Sequence, residues 1–213
     1  VQVIPDVIRH LESFDALLVR SSLMNFLVAK LAADYVPAVF SGEGGDELFA
    51  GYSYLKNLSL EELSGELVDI SNRLHNTALQ RVDRCASAHG TVAYVAFLDQ
   101  DVLEYAVSIP PEYKIVSGLE KWILRQAVMD LLPYQIVQRK KAKFWEGAGV
   151  EERLSVFAEA QVTDADFERE QILPDGSRLN TKEELFYYRI FADQVGQIED
   201  LRWMGRTKGA PIQ

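Results

Sequence analysis

Ala38-Val39-Phe40-Ser41-Gly42-Glu43-Gly44-Gly45-Asp46-Glu47-Leu48-Phe49-Ala50-Gly51-Tyr52 changes character twice along its length. Val36 to Ser41 is a short apolar run with Pro37 and β-branched valine, bounded by glycine, and predicts a buried strand. Gly42, Gly44 and Gly45 carry no Cβ, so backbone N–H groups there can approach an anion closely. Asp46 is a natural N-cap for the short amphipathic segment Glu47-Leu48-Phe49. The pattern predicts strand, turn and helix, with the carboxylates of Glu43 and Asp46 beside a glycine nest. A plainer reading has Asp46 only capping, Glu47 complementing the helix dipole, and Glu43 solvated.

Upstream, Pro5-Asp6 predicts the start of a short helix to about Leu11, with Ile4, Val7, Ile8 and Leu11 on its apolar side. Asp15 predicts the cap of a longer helix to about Tyr35, in which Leu17, Leu18, Leu23, Leu27, Val28 and Leu31 recur at helical spacing. A strand buried between helices needs parallel neighbours. Only one strand is legible, so its neighbours are expected either outside the chain or in stretches too faint to read. The start at Val1, without Met, gives the same expectation of a piece of a longer protein.

Downstream the pattern is helical: Leu60 to Leu67, then Val68 to about Asp83. Asp99 predicts the cap of a helix to about Val107, ended by Pro110-Pro111. Leu119 to Leu132 predicts the clearest amphipathic helix. Leu119, Trp122, Ile123, Ala127 and Leu131 lie on one side, and Glu120, Lys121, Arg125 and Asp130 on another. Further helices are predicted over Glu151–Ala160 and Asp164–Ile172. Thr181-Lys182-Glu183-Glu184 reads as a capping box for a last helix through Gln194, with Leu185, Phe186, Tyr188 and Ile190 in the core. Residues 1–200 are expected to form part of one domain and 201–213 a loose tail. Arg139, Lys140, Lys141 and Lys143 stand together in an acidic chain. They mark a local positive site able to bind phosphate or pyrophosphate, a solvated face being the plainer reading.

Composition excludes several classes. The 213 residues are 48% hydrophobic, enough to bury a core, and the net charge of −10 speaks against general nucleic-acid binding. The single cysteine, Cys85, excludes an internal disulfide framework and predicts a small buried apolar residue in a reducing compartment. No apolar run of about 18 residues is seen, so no membrane span is expected, and no signal peptide is recognised. A cytoplasmic protein is the expectation. His10, His75 and His89 are isolated, and no metal role is expected of them.

The string Ser41 to Tyr52 closely resembles the signature of the asparagine synthetase family, in its ATP-pyrophosphatase (synthetase) domain. Two later blocks resemble the same family in the right order and separation. They are Lys121-Trp122-Ile123-Leu124-Arg125 and Arg139-Lys140-Lys141-Ala142-Lys143-Phe144. The resemblance covers about residues 5–195, the later part of that domain. It implies an α/β fold with a parallel nucleotide-binding sheet, of which this segment would be predominantly α-helical with few strands. The Ser-Gly-Gly-x-Asp-Ser pyrophosphate loop and the glutaminase domain of the family have no counterpart here, so the chain alone is expected to be inactive.

In that family a carboxylate, usually aspartate, attacks the α-phosphorus of ATP–Mg²⁺. The acyl-adenylate then reacts with ammonia to give an amide, releasing AMP, with pyrophosphate released earlier. By resemblance Glu43 is the acid/base and intermediate-forming residue, and Ser41 and Gly42 lie along the nucleotide. Asp46 is a Mg²⁺ ligand whose partner carboxylate lies in the absent loop. Lys141 stabilises the leaving pyrophosphate, and Lys121 serves the same anionic region. Expected partners are ATP, aspartate or another carboxylic substrate, ammonia from a glutaminase domain or subunit, and another copy of the chain. Neither nucleic acid nor a membrane is expected. Val92, Tyr94 and Ala96 replace an acidic residue, Arg and Pro of the family pattern. Losing the Arg makes aspartate less secure as acceptor than the amidation itself. A ligase of the same fold with another acceptor, similar to β-lactam synthetases, is one alternative. Glu43 argues against it, because those enzymes usually carry Tyr there. A non-catalytic interaction module is the other.

Overall fold

The computed structural model describes residues 1–141, 151–196 and 198–207. It is mostly helical. In chain order the elements are α1 (Ile4–Leu11), α2 (Ala16–Ala33), β1 (Ala38–Phe40), α3 (Gly45–Leu48), α4 (Leu60–Asn72), α5 (Ala78–Ser87), β2 (Val92–Tyr94) and α6 (Gln100–Ser108). There follow β3 (Ile115–Val116), β4 (Leu119–Glu120), α7 (Trp122–Ala127), α8 (Tyr134–Val137), α9 (Glu151–Gln161), α10 (Asp164–Glu170) and α11 (Lys182–Val195). Short 3₁₀ turns join several of them.

β1 has a neighbour that the sequence pattern did not reveal. It pairs with β2, and the Val92 N–H donates to the Pro37 carbonyl while the Ser41 N–H donates to that of Tyr94. Both partners advance together along their chains, so the two strands are parallel. The expectation of a buried strand is corrected. Phe40 is 83% exposed, and Val92 and Tyr94 are exposed as well, because among the described residues β1 has β2 as its one neighbour and a strand with a single neighbour is not enclosed as one inside a parallel sheet is.

The chain divides into two compact units. The first comprises 1–39, 75–93 and 143–213. Its core joins Ile4, Val7, Ile8 and Leu11 of α1, Leu18, Val19, Leu23 and Phe26 of α2, Cys85 of α5, and Leu185, Tyr187 and Phe191 of α11. The predicted caps form here. Asp15 accepts from the Leu18 N–H at 2.8 Å, and Thr181 accepts from that of Glu184 at 3.1 Å. The Glu184 carboxylate takes the Asn180 N–H instead of that of Thr181, so the expected box closes one residue early. The core side of α11 is also rotated, with Tyr187 and Phe191 fully buried and Phe186, Tyr188 and Ile190 only partly so.

α2 is long and apolar enough to cross a membrane by length and composition, with a mean hydropathy of 1.4, contrary to the expectation of no such stretch. Its Leu18, Val19, Leu23 and Phe26 are packed into the core, as in a core helix. Leu27, Val28 and Leu31, read as part of the buried stripe, are exposed.

The loose-tail expectation is corrected as far as Thr207, while 208–213 lie outside the described residues. Leu201 and Met204 are buried. Arg206 pairs with Glu184, and the Thr207 hydroxyl and N–H donate to Asp15 at 2.8 and 3.0 Å. A buried carboxylate needs such partners, which is why this polar segment is held.

The second unit comprises 40–74 and 94–142. One apolar cluster gathers Ala50, Leu55, Leu63, Leu67 and Ile70. Another gathers Leu48, Phe49 and Ala106, with Phe97, Leu98, Ile123 and Leu124 packed against it. α4 opens on a complete capping box between Ser59 and Glu62 and runs unbroken to Asn72, past the predicted division after Leu67. Asp99 caps α6 as expected, accepting from the Asp101 N–H at 3.1 Å.

The predicted Leu119–Leu132 helix is corrected. Ser117 and Gly118 both adopt positive φ, 51° and 75°, which is the two-residue turn of a tight hairpin. Val116 therefore pairs with Leu119 and Ile115 with Glu120. The first two residues of the expected helix are drawn into β4, and α7 starts only at Trp122.

Candidate functional site

All the described site residues proposed from sequence lie in the second unit. Gly44 begins the construction. It takes φ 92°, and a Cβ there would lie 2.5 Å from Leu98 Cδ2, so the turn after Glu43 requires glycine. The Gly45 N–H is folded back to the Gly42 carbonyl at 3.3 Å. One of the amides expected to face an anion is thus used within the turn.

Gly44, not Asp46, is the N-cap of α3. That corrects the capping expectation and frees the Asp46 carboxylate for another task. Asp46 Oδ2 lies 2.5 Å from Lys141 Nζ and its Oδ1 lies 2.7 Å from Lys121 Nζ. The Lys141 contact is a hydrogen bond; the Lys121 contact is an ion pair outside hydrogen-bond alignment. Burial raises the pKa of this carboxyl, and the two ammonium groups outweigh it, so Asp46 titrates below its usual range.

The sequence argument thus chose three residues, Asp46, Lys121 and Lys141, that the fold brings together. They come from α3, from the junction of β4 and α7, and from the basic run after α8. Of that run, Ala142 and Lys143-Phe144 lie outside the described residues. Glu43 is half-buried on the turn, close enough to Glu47 and Tyr52 to raise the pKa of both. Ser41 is half-buried and Gly42 exposed at the end of β1.

Four residues, Glu47, Tyr52, Gly51 and Arg125, were not selected from sequence. Glu47 is 4% exposed and accepts a short hydrogen bond from the Tyr52 hydroxyl. Burial pushes its carboxyl above the usual range, and the Tyr52 bond only partly offsets this. Gly51 lies against the ion pairs, with space for a hydrogen and nothing larger. Arg125 anchors the segments that carry the lysines. Glu47, Gly51 and Tyr52 all stand inside the quoted stretch, but nothing in spacing alone says which of its members turn inward.

Beside the lysines is a cavity of about 240 Å³ whose lining mixes five cations, Lys121, Arg125, Arg139, Lys140 and Lys141, and one carboxylate, Glu120, with apolar side chains such as Leu124 and Ile136. Its chemistry suits an anion. It does not suit a resident divalent cation. Both Asp46 oxygens face ammonium groups, Glu47 is engaged by Tyr52, and no group of three metal-ligating side chains occurs among the described residues. These residues by themselves do not fit Mg²⁺.

The profile of the family described as Asparagine synthase matches residues 1–71 and 59–200. A probable glutamine-hydrolysing asparagine synthetase of Schizosaccharomyces pombe is 36% identical over 228 residues, covering 97% of this chain and 40% of that protein. Its counterpart in Dictyostelium discoideum is 35% identical over 208 residues, 90% of this chain and 37% of its own length. The glutamine-hydrolysing asparagine synthetase of Asparagus officinalis is 36% identical over 203 residues, 90% of this chain and 34% of its own length. The chain therefore spans about two-fifths or less of these curated relatives. With its profile matched over most of its length, the chain belongs to the asparagine synthase family.

Proposed function

We propose that this chain is part of the synthetase domain of an ATP-dependent carbon–nitrogen ligase. The ligase activates a carboxylate as its adenylate and passes the acyl group to ammonia, giving an amide, AMP and pyrophosphate. The observation that carries this reading is the bridging of Asp46 by Lys121 and Lys141 directly after the glycine turn. A carboxylate attacking a polyphosphate brings two anions together, and pre-placed cations lower the barrier by spreading the charge that develops on the leaving pyrophosphate. Lys141 and Lys121 are the groups for that task, and Asp46 keeps them paired until the anion takes them over. The ammonia nitrogen must lose a proton on or after attack, and Glu43, at the edge of the turn, is the carboxylate placed to receive it. Ser41 and Gly42 line the nucleotide at the end of β1. The β1–β2 pair would belong to the parallel nucleotide-binding sheet of the complete domain.

Aspartate as the acceptor, and ammonia released from glutamine, follow from the names of the relatives, which are glutamine-hydrolysing asparagine synthetases. The Mg²⁺ role read for Asp46 requires ligands beyond the described residues, and no step here depends on it.

ATP–pyrophosphate exchange with aspartate tests this reading. It is measured on the chain alone and on the longest open reading frame that contains it. Exchange in the longer protein is expected to fall at least about a hundredfold in Lys141→Ala. In Glu43→Ala, whose role comes after adenylation, exchange is expected to persist while amide formation from added ammonia falls by about as much. Exchange that survives Lys141→Ala, or amide formation that survives Glu43→Ala, would remove the role assigned to that residue. Absence of exchange with any carboxylic acid would remove the ligase reading.

A further inference from the structure

The two lysines of the site sit on different segments, and one side chain ties those segments together. Arg125, on α7, is only 11% exposed. Its Nε donates to the Glu120 carbonyl at 2.8 Å and its Nη2 to Glu120 Oε1 at 3.1 Å. Its Nη1 donates to the carbonyls of Val137 and of Arg139, the latter at 3.1 Å. Glu120 directly precedes Lys121. Val137 ends α8, and Arg139 opens the run that continues as Lys140 and Lys141. The Glu120 carboxylate is held from its other side by Lys56 at 2.6 Å. Burial would raise the pKa of Glu120, yet these cations hold it below its usual range.

We propose that Arg125 is a positioning residue. Its guanidinium fixes the end of β4 to the start of the basic run, and so sets the gap between Lys121 and Lys141 that Asp46 occupies and that a phosphate group would enter. The proposal rests on the ligase reading only for the identity of the anion. The planar fork is what the task needs. It reaches two backbone carbonyls on one segment and both a carbonyl and a carboxylate on the other. A lysine keeps the charge but offers one point donor. Lys121 itself is held at φ 55°, a left-handed conformation that a Cβ disfavours. Such a conformation persists where neighbouring bonds enforce it, and the Arg125 side chain binds the residue before it, Glu120, while the Arg125 N–H donates to the Lys121 carbonyl.

Competitive acetylation of lysines with acetic anhydride, read by peptide mass spectrometry on the full chain, tests this without reference to activity. Exposed Lys30 serves as the reference and buried Lys114 reports on folding of the second unit. In the wild type, Lys121 and Lys141 are expected to react several-fold more slowly than Lys30. In Arg125→Lys, Lys141 is expected to reach the Lys30 rate while Lys114 stays protected. Unchanged Lys141 protection in Arg125→Lys overturns the proposal. Where Lys114 loses protection too, Glu120→Gln replaces that variant. It removes the carboxylate's charge, and with it the ion pairs to Arg125 and Lys56, while the Arg125 bonds to backbone carbonyls remain; it is expected to raise Lys141 labelling about twofold, and an unchanged rate again overturns the proposal. Inorganic pyrophosphate added to the wild type separates the two ideas. If it fails to protect either lysine while Arg125→Lys still frees Lys141, the anion assignment falls and the positioning role stands. If pyrophosphate protects both lysines equally in wild type and Arg125→Lys, the positioning role falls and the anion assignment stands.

Discussion

Gly51 shows how tightly the site is built at the level of single atoms. A Cβ on it would lie 1.9 Å from Asp46 Oδ1 and 2.4 Å from Lys121 Cε. Gly51→Ala must therefore push the carboxylate and a lysine apart, and overpacking of this kind costs about 1–3 kcal/mol. A denaturant titration of the second unit should show a loss of that size, together with loss of Lys121 protection from acetylation. The backbone of Lys121 allows a finer test. Lys121→Ala and Lys121→Gly both remove the ammonium, but only glycine relieves the left-handed φ of 55°. The glycine variant should be the more stable by about 1 kcal/mol, measured by the same titration. Equal stability would show that the residue carries no backbone strain. In sequence these facts were half visible. Lys121 and Lys141 could be chosen because the blocks that carry them resemble those of the family, and Lys141 also because clustered cations in an acidic chain suggest an anion. Gly51 could not, because its role depends on which side chains from distant segments converge on it.

Among the elements, the β3–β4 hairpin decides where Lys121 sits. Its turn needs positive φ at both Ser117 and Gly118, and serine accepts that poorly. Asparagine is favoured there, so Ser117→Asn should raise stability by about half a kcal/mol. Gly118→Val should lower it by at least about 1–2 kcal/mol and loosen Lys121. Thermal unfolding of the pair of variants checks both signs. The hairpin also explains the largest error of the sequence reading. Leu119 fits the apolar stripe of a helix from Leu119 to Leu132, and periodicity alone extends that helix backward. The turn-forming Ser117-Gly118 pair takes Leu119 and Glu120 into a strand instead. At Pro5, Asp15, Asp99 and Thr181 the local start signals held, because they act on the nearest few backbone groups; at Asp46 they did not, because the glycine turn opens α3 earlier, at Gly44. β2 stayed hidden because Val92-Ala93-Tyr94 is too short for its period to register.

For the molecule as a whole, the first unit depends on its last described residues. Arg206 and Thr207 satisfy the carboxylates of Glu184 and Asp15, which are 3% and 1% exposed, while Leu201 and Met204 close the core. Ending the chain at Glu199 leaves both carboxylates without these partners and opens the apolar cluster, a change that ought to cost several kcal/mol. Cys85 provides the readout. Burial pushes its thiol up to about 12, so at pH 8 only about one molecule in ten thousand carries the reactive thiolate. Iodoacetamide labelling should be slow in the intact chain and should keep rising with pH across the range 8–10, without a plateau. The shortened chain should label at least tenfold faster at pH 8. Labelling that levels off near pH 9 would mean an ordinary, exposed thiol. A loose tail was predicted because the end of the chain carries Gly205, Lys208, Gly209 and Pro211. Nothing local announces that two carboxylates elsewhere in the unit need Arg206 and Thr207.

The most direct measurement is a calorimetric titration of inorganic pyrophosphate into the longest protein that contains this chain. It is run on the wild type, Lys121→Ala, Lys141→Ala and the double variant. Charge-assisted bonds are worth about 1.5–3 kcal/mol each, so each single substitution should weaken binding by roughly ten- to a hundredfold. The double variant should abolish measurable binding. Affinity that stays the same in both single variants would contradict the two-lysine site and leave Asp46, Lys121 and Lys141 as a structural ion-pair cluster.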